Sequence, residues 1–352
     1  MDIKKLFQIA VKRVASDLHL VVGLPPTLRI DGDLIEIEKE KPVTNKEMEQ
    51  GVFSIITAKQ KEEFIKTREL DFSYELSDSR FRVNLHFEKN NIGLVARIIS
   101  NKMPTLEGLG IGDIVRDLLN LKQGLILVTG PTGCGKSTTL AAMINYINAS
   151  RRCNIITLED PIEYLFTPNK SIVIQRQLGS DMLSFAGGLK HCLRQDPNVI
   201  MVGEMRDLET IATTITLAET GHLVLATLHT YSAAQTIDRI IDVFPPHQQN
   251  QVRMQLSMTL ASVISQRLLP KIGGGRVAAR EIMVNTPAIS NLIRENKVAQ
   301  IKTVIETSAK DGMASIDQDL KRLYKEKLIT KEAAQGQMAN PELLDKFSIL
   351  QR

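Results

Sequence analysis

The run Leu125-Ile126-Leu127-Val128-Thr129 leads directly into Gly130-Pro131-Thr132-Gly133-Cys134-Gly135-Lys136-Ser137-Thr138, and the reading of these residues decides the fold. Unbroken apolar residues ending at a glycine are the pattern of a strand buried on both faces. The next eight residues fit G-x4-G-K-[ST], and a helical pattern over Ser137–Ala149 follows. In such a loop the glycines let backbone N–H groups wrap phosphate oxygens, the helix N-terminus adds positive potential, the lysine reaches the β- and γ-phosphates and the hydroxyl ligates Mg2+. A mere glycine-rich turn needs neither the strand before nor the helix after. Gly130 to Thr138 are therefore expected to bind ATP, with Lys136 on the phosphates and Ser137 on the metal.

Outward from this loop, apolar strands at Ile155–Leu158, Val199–Val202 and Leu223–Ala226 alternate with helical stretches at Phe185–Arg194, Leu208–Thr220 and Ala233–Val243. That alternation predicts an α/β domain with a parallel sheet covered on both faces. A Gly273-Gly274-Gly275 turn then leads to a strand at Val277–Val284 and a mainly helical remainder. Toward the N-terminus the elements are short and varied. Capping boxes open helices at Thr44 and Thr57, and strands are expected at Leu18–Val22, Thr27–Ile30, Leu70–Leu76, Arg80–Glu88 and Gly93–Ile98. The expected organisation is a small α+β domain over 1–100, a linker over 101–108 and the ATPase domain over 109–352.

A chain of 352 residues exceeds one core. With 43% apolar and 24% charged residues and no long uninterrupted apolar run, it reads as globular and free of membrane spans. The first residues read as amphipathic and not as an apolar signal core, so no export is expected. Cys134, Cys153 and Cys192 form no C-x-x-C pair, which suits a reducing cytoplasm and excludes a disulfide framework or zinc site. A net charge of +4 gives no support to direct nucleic-acid binding.

Hydrolysis of ATP needs carboxylates beside the loop to hold metal and orient water. Two clusters qualify: Glu159-Asp160-Pro161-Ile162-Glu163 after one apolar strand, and Gly203-Glu204-Met205-Arg206-Asp207 after another. Acids at strand ends also serve as helix caps, the competing reading for Asp207. Glu204 follows four apolar residues and a glycine, which carries it over the C-terminal edge of the sheet. It is the expected catalytic acid and, with Ser137 and Glu159, a candidate metal ligand. His222 and His229 flank a buried strand. They are either structural, or they link the nucleotide at one end to a subunit contact at the other. Arg80 and Arg82 share a strand face, with Arg97 on a further strand; these are either solvated side chains or arginine fingers. Cys134, at a helix N-terminus beside Lys136, is expected to have a lowered pKa and to react readily with thiol reagents.

Taken in order, Ala15–Leu20, Pro25–Arg29, the phosphate loop, an aspartate box at Ile156–Glu163, a Walker B stretch at Leu193–Glu204 and a histidine box at Gly221–His229 resemble the secretion and pilus motor ATPases. The resemblance implies a PAS-like N-terminal domain, a RecA-like ATPase domain, a homo-hexameric ring, and nucleotide held between domains. It further implies Glu204 and Glu163 in catalysis and charge compensation by Arg82 and Arg97. Ala288-Ile289-Ser290-Asn291-Leu292-Ile293-Arg294-Glu295 is similar to the motif of the retraction branch. The longer N-terminal region and four-cysteine zinc insertion usual in the extension and type II secretion branches are not seen in this sequence, so the retraction branch is the expectation. Cys134, Asn198 and Ser290 stand where that family usually has Ser, Asp and Arg. The implied role is twitching-motility pilus retraction, driven from the cytoplasm at the inner-membrane base of the pilus through a membrane platform protein. An extension, secretion or DNA-uptake motor of the same family, or a nucleotide-binding regulatory subunit without turnover, are the alternatives.

Overall fold

The computed structural model describes residues 2–30, 32–76, 79–99, 103–342 and 344. Two compact units emerge, one of residues 1–103 with 161–165, the other of residues 104–160 with 166–352. Asn101 and Lys102, where the expected linker starts, lie outside the described residues.

The first unit contains α1 (Ile3–Lys12), β1 (Asp17–Leu20), β2 (Thr27–Ile30), β3 (Asp33–Glu36), α2 (Asn45–Phe53), α3 (Ala58–Thr67), β4 (Glu69–Leu76), β5 (Ser79–Glu88) and β6 (Asn91–Ile99). The strands pair antiparallel in the order β3-β2-β1-β6-β5-β4. Both expected capping boxes form, Thr44 with Glu47 and Thr57 with Gln60. Hydrogen bonds from Thr44 hold the Glu47 carboxyl down to about 2. Strand side chains alternate between faces. Leu28, Leu18, Ala96, Val83 and Phe72 therefore form one cross-strand row, buried in one core with Phe7, Met48 and Phe64. The neighbouring row, on the opposite face, reads Arg29, Asp17, Arg97, Arg82, Ser73.

The second unit continues with α4 (Asp113–Leu119), β7 (Gly124–Thr129), α5 (Lys136–Ser150), β8 (Asn154–Glu159), β9 (Ile172–Gln177), α6 (Phe185–Cys192), β10 (Val199–Val202), α7 (Leu208–Glu219), β11 (Leu223–Leu228), α8 (Ala233–Asp242), α9 (Pro246–Thr259), β12 (Leu260–Pro270), β13 (Arg276–Val284) and α10 (Pro287–Arg294). Its sheet runs β13-β12-β7-β11-β10-β8-β9. All neighbours are parallel except β12 and β13, which form a hairpin. The central strands β7, β10 and β11 are buried along their whole length. Helices α11 (Ile301–Thr307), α12 (Ile316–Lys325) and α13 (Lys331–Gln335) follow, and Leu320 and Leu323 of α12 share a small core with Leu269 of β12 and Ala279 of β13. The α/β expectation holds for this unit.

Two strands of the sheet went unpredicted. In β9 the exposed Ile172 and half-buried neighbours give an edge strand without a clean period. In β12 the chain passes from helix to strand at Leu260 with no turn residue between. Asn198 has a structural account: its Oδ1 accepts the Asn154 N–H at 2.8 Å, tying the entry of β10 to that of β8.

Candidate nucleotide-binding site

The parallel order places β7 between β12 and β11, so the loop at its C-terminal end is flanked by strands on both sides. Thr129, the last residue of β7, donates its hydroxyl to Ser265 of β12 at 2.8 Å. Gly130 has φ +141°, and a methyl group there would lie 2.3 Å from the Gln266 carbonyl oxygen. Only glycine lets the loop start so close to β12. Helix α5 then begins at Lys136 after Gly135, itself at φ +89°.

Lys136 Nζ donates to the carbonyl oxygens of Gly130 at 2.8 Å and Pro131 at 3.0 Å, and lies 3.5 Å from His229 Nδ1. Ser137 is exposed on the first turn of the helix and Thr138 half-buried beside it. Glu204 is held at the same edge by its flanking backbone. Gly203 N–H donates to Leu158 and Met205 N–H to Thr227, while the Thr227 hydroxyl donates to the Gly203 carbonyl. The Glu204 carboxylate, 14% exposed, takes Arg206 at 2.6 Å on one oxygen and lies 3.7 Å from His229 Nε2 on the other. Lys136, His229, Glu204 and Arg206 therefore form a continuous line. Sequence reasoning missed Arg206 and Thr227; a basic residue two positions after the strand-end acid was the available signal.

Other candidate residues are placed apart from this line. His222 is at the opposite, N-terminal end of β11, its Nδ1–H given to the Leu217 carbonyl at 2.9 Å. Glu163 belongs to the 161–165 segment that groups with the first unit, as do Arg82 and Arg97. Arg97 Nε pairs with Asp17 at 3.0 Å, and the Arg97 side chain is 68% exposed. Glu159, 7% exposed, receives Thr157 Oγ1 at 2.7 Å and Gln175 Nε2 at 3.0 Å on one oxygen. Asp207 caps α7, accepting the Thr210 N–H and hydroxyl. Among the described residues no group of three or more His, Cys, Asp or Glu side chains is disposed around a cation.

The expectation for Cys134 is overturned. The residue is 3% exposed, and burial pushes its pKa up despite the nearby Lys136 charge. Desolvation of a thiolate outweighs the attraction here. Cys192 is pushed up to about 11 for the same reason, whereas Cys153 is only half-buried. Alkylation of the native chain at about pH 8 should therefore label Cys153 first and spare Cys134 and Cys192. Peptide mass spectrometry reads the order, and faster labelling at Cys134 would show the loop thiol ionised after all.

The profile of the family described as type II/IV secretion system protein matches residues 1–274. The type IV pilus retractation ATPase PilT of Pseudomonas aeruginosa is 49% identical over 343 residues, covering 97% of this chain and 99% of that one. The twitching motility protein of Neisseria gonorrhoeae is 46% identical over 319 residues, covering 90% and 85% respectively. The crystal structure of the pilus retraction motor PilT with bound ADP superposes with a TM-score of 0.92 at 44% identity, over 98% of this chain and 99% of that one.

Proposed function

The chain belongs to the type II/IV secretion system protein family, and from that membership we propose that it is an ATP-hydrolysing motor that retracts type IV pili. The observation that carries the chemistry is the line from Lys136 through His229 to Glu204 at the mouth of the phosphate loop. Lys136 exchanges its two loop carbonyls for the β- and γ-phosphates, and the loop N–H groups from Gly130 to Thr138, Pro131 excepted, supply the remaining donors. Glu204 orients and polarises the attacking water, while His229 senses the change between that carboxylate and the lysine. Ser137 and Glu204 would hold the Mg2+ that enters with ATP, and this ion would neutralise charge developing between the phosphates. Glu159, gripped by Thr157 and Gln175, braces the strand end beside them.

In this reading Arg97 and Arg82 compensate the charge of the transferring phosphoryl group, with Glu163 assisting. The row that contains these arginines sets three guanidinium groups against one carboxylate, Asp17. Like charges directly opposite one another are unfavourable, and an arriving anion relieves them. His222, at the far end of β11, relays the state of His229 toward a neighbouring subunit in a homo-hexamer. The motor works at the inner-membrane base of the pilus through a platform protein; no described helix is long and apolar enough to cross a membrane.

Glu204→Gln tests the chemistry. The amide keeps the shape but not the charge, so ATP turnover should fall about 10²–10⁴-fold while ATP affinity stays within a few-fold. Equal losses in single-turnover rate and in affinity would make Glu204 a structural residue. The biological role is read separately by deleting the gene and following single fibres by fluorescence. Fibres should extend and then fail to shorten; absent fibres would indicate an extension motor.

A further inference from the structure

Strand β12 carries Gln266 along the flank of the phosphate loop. The residue is 1% exposed, and both ends of the amide are used. Nε2 donates to the Cys134 carbonyl at 2.8 Å, and Oε1 accepts the Thr139 hydroxyl at 2.9 Å. The partners fix the amide's orientation, since the reverse would set two carbonyl oxygens against each other at Cys134. Through its backbone contact with Gly130, this one residue meets the start of the loop, its far side and the first turn of α5. Its level on the strand is held from both sides, by the Thr129–Ser265 hydrogen bond to β7 and by the pairing of Gln266 with Arg280 on β13.

We propose that Gln266 is a positioning residue of the phosphate loop, which aims the Gly135 N–H at the nucleotide's phosphates by holding the preceding carbonyl away from them. The proposal rests on the nucleotide reading above. In a planar trans peptide the C=O of Cys134 and the N–H of Gly135 point in opposite directions. By capturing the carbonyl on the β12 side, Gln266 turns the N–H away from β12. The Thr139 hydroxyl donates to Gln266 although helical threonines commonly bond back to the carbonyl four residues earlier. The same amide thereby locks the N-terminus of α5, whose first-turn N–H groups are the other phosphate donors in this reading. An aliphatic side chain would fill the space without the cost of burying an amide, so the pattern of bonds points to alignment.

The test uses the purified full chain, with ADP binding by titration calorimetry and steady-state ATP turnover. Gln266→Leu keeps the volume and removes both bonds. It should raise the ADP Kd and the ATP KM by roughly ten- to hundredfold, the worth of one donor to a charged group, with far less change in kcat. Gln266→Glu should bind ADP no better than Gln266→Leu, since a carboxylate oxygen would face the Cys134 carbonyl. Thr139→Val should shift Kd in the same direction by less, and it carries the test if the Gln266 variants do not fold. A residue that merely braces the fold would lower the unfolding temperature and leave the ADP Kd, read well below that temperature, at the wild-type value. That result, or a fall in kcat with unchanged KM, overturns the proposal. If the wild-type chain fails to bind ADP, the nucleotide reading itself falls, and this inference with it.

Discussion

Lys136→Ala should bring ATP turnover down to background, a loss of at least about 10³-fold. In the proposed reading the ammonium is the charge that meets the β- and γ-phosphates, and phosphate oxygens would replace its present bonds to the Gly130 and Pro131 carbonyls at 2.8 and 3.0 Å. Removing it leaves transferring charge uncompensated where loop N–H groups alone must carry it. Lys136→Arg should also fail, since a planar guanidinium does not fit where a compact ammonium sits among loop carbonyls. Neither change removes core packing, so the circular dichroism spectrum should be that of wild type. Turnover within a few-fold of wild type would sink the phosphate-loop assignment.

How much of this was legible in advance follows from the range of each signal. The strand–loop–helix unit at Leu125–Ser150 is local: apolar run, glycines and helix start are contiguous, so the central sheet and Lys136 could be read directly. Glu204 was legible because its strand is buried on both faces and ends in a single Gly-Glu step. The contact of His229 with both Lys136 and Glu204 joins residues 93 and 25 positions apart, and no spacing rule brings them together. Nor did any local signal mark Gln266, which lies in a strand that begins where a helix ends. The reading of Cys134 failed for a related reason. Its helix terminus and neighbouring lysine were visible in sequence, but the burial that raises its pKa comes from tertiary packing.

The arginines of the first unit are the harder case, since their row could be read from alternation but its purpose could not. Arg97 stands between Asp17 and Arg82 in register. If it completes the nucleotide site, Arg97→Ala should lower kcat about 10³–10⁵-fold, the range for an arginine finger, with a much smaller change in ATP affinity. A structural alternative is concrete: Asp17 is buried and Arg97 is its ion-pair partner at 3.0 Å, so truncation also strands a carboxylate. Adding Asp17→Asn separates the two. The double variant should regain stability lost by Arg97→Ala while staying inactive; recovery of turnover along with stability would make Arg97 a partner of Asp17 and nothing more. Mixing then asks which chain donates. Arg97→Ala and Glu204→Gln chains, each inactive alone, should restore turnover in mixed assemblies if the arginine reaches a neighbour's phosphates. No recovery in assemblies shown to be mixed would assign Arg97 to the site of its own chain. Near-normal turnover by Arg97→Ala alone would pass the role to Arg82, the next arginine in the row.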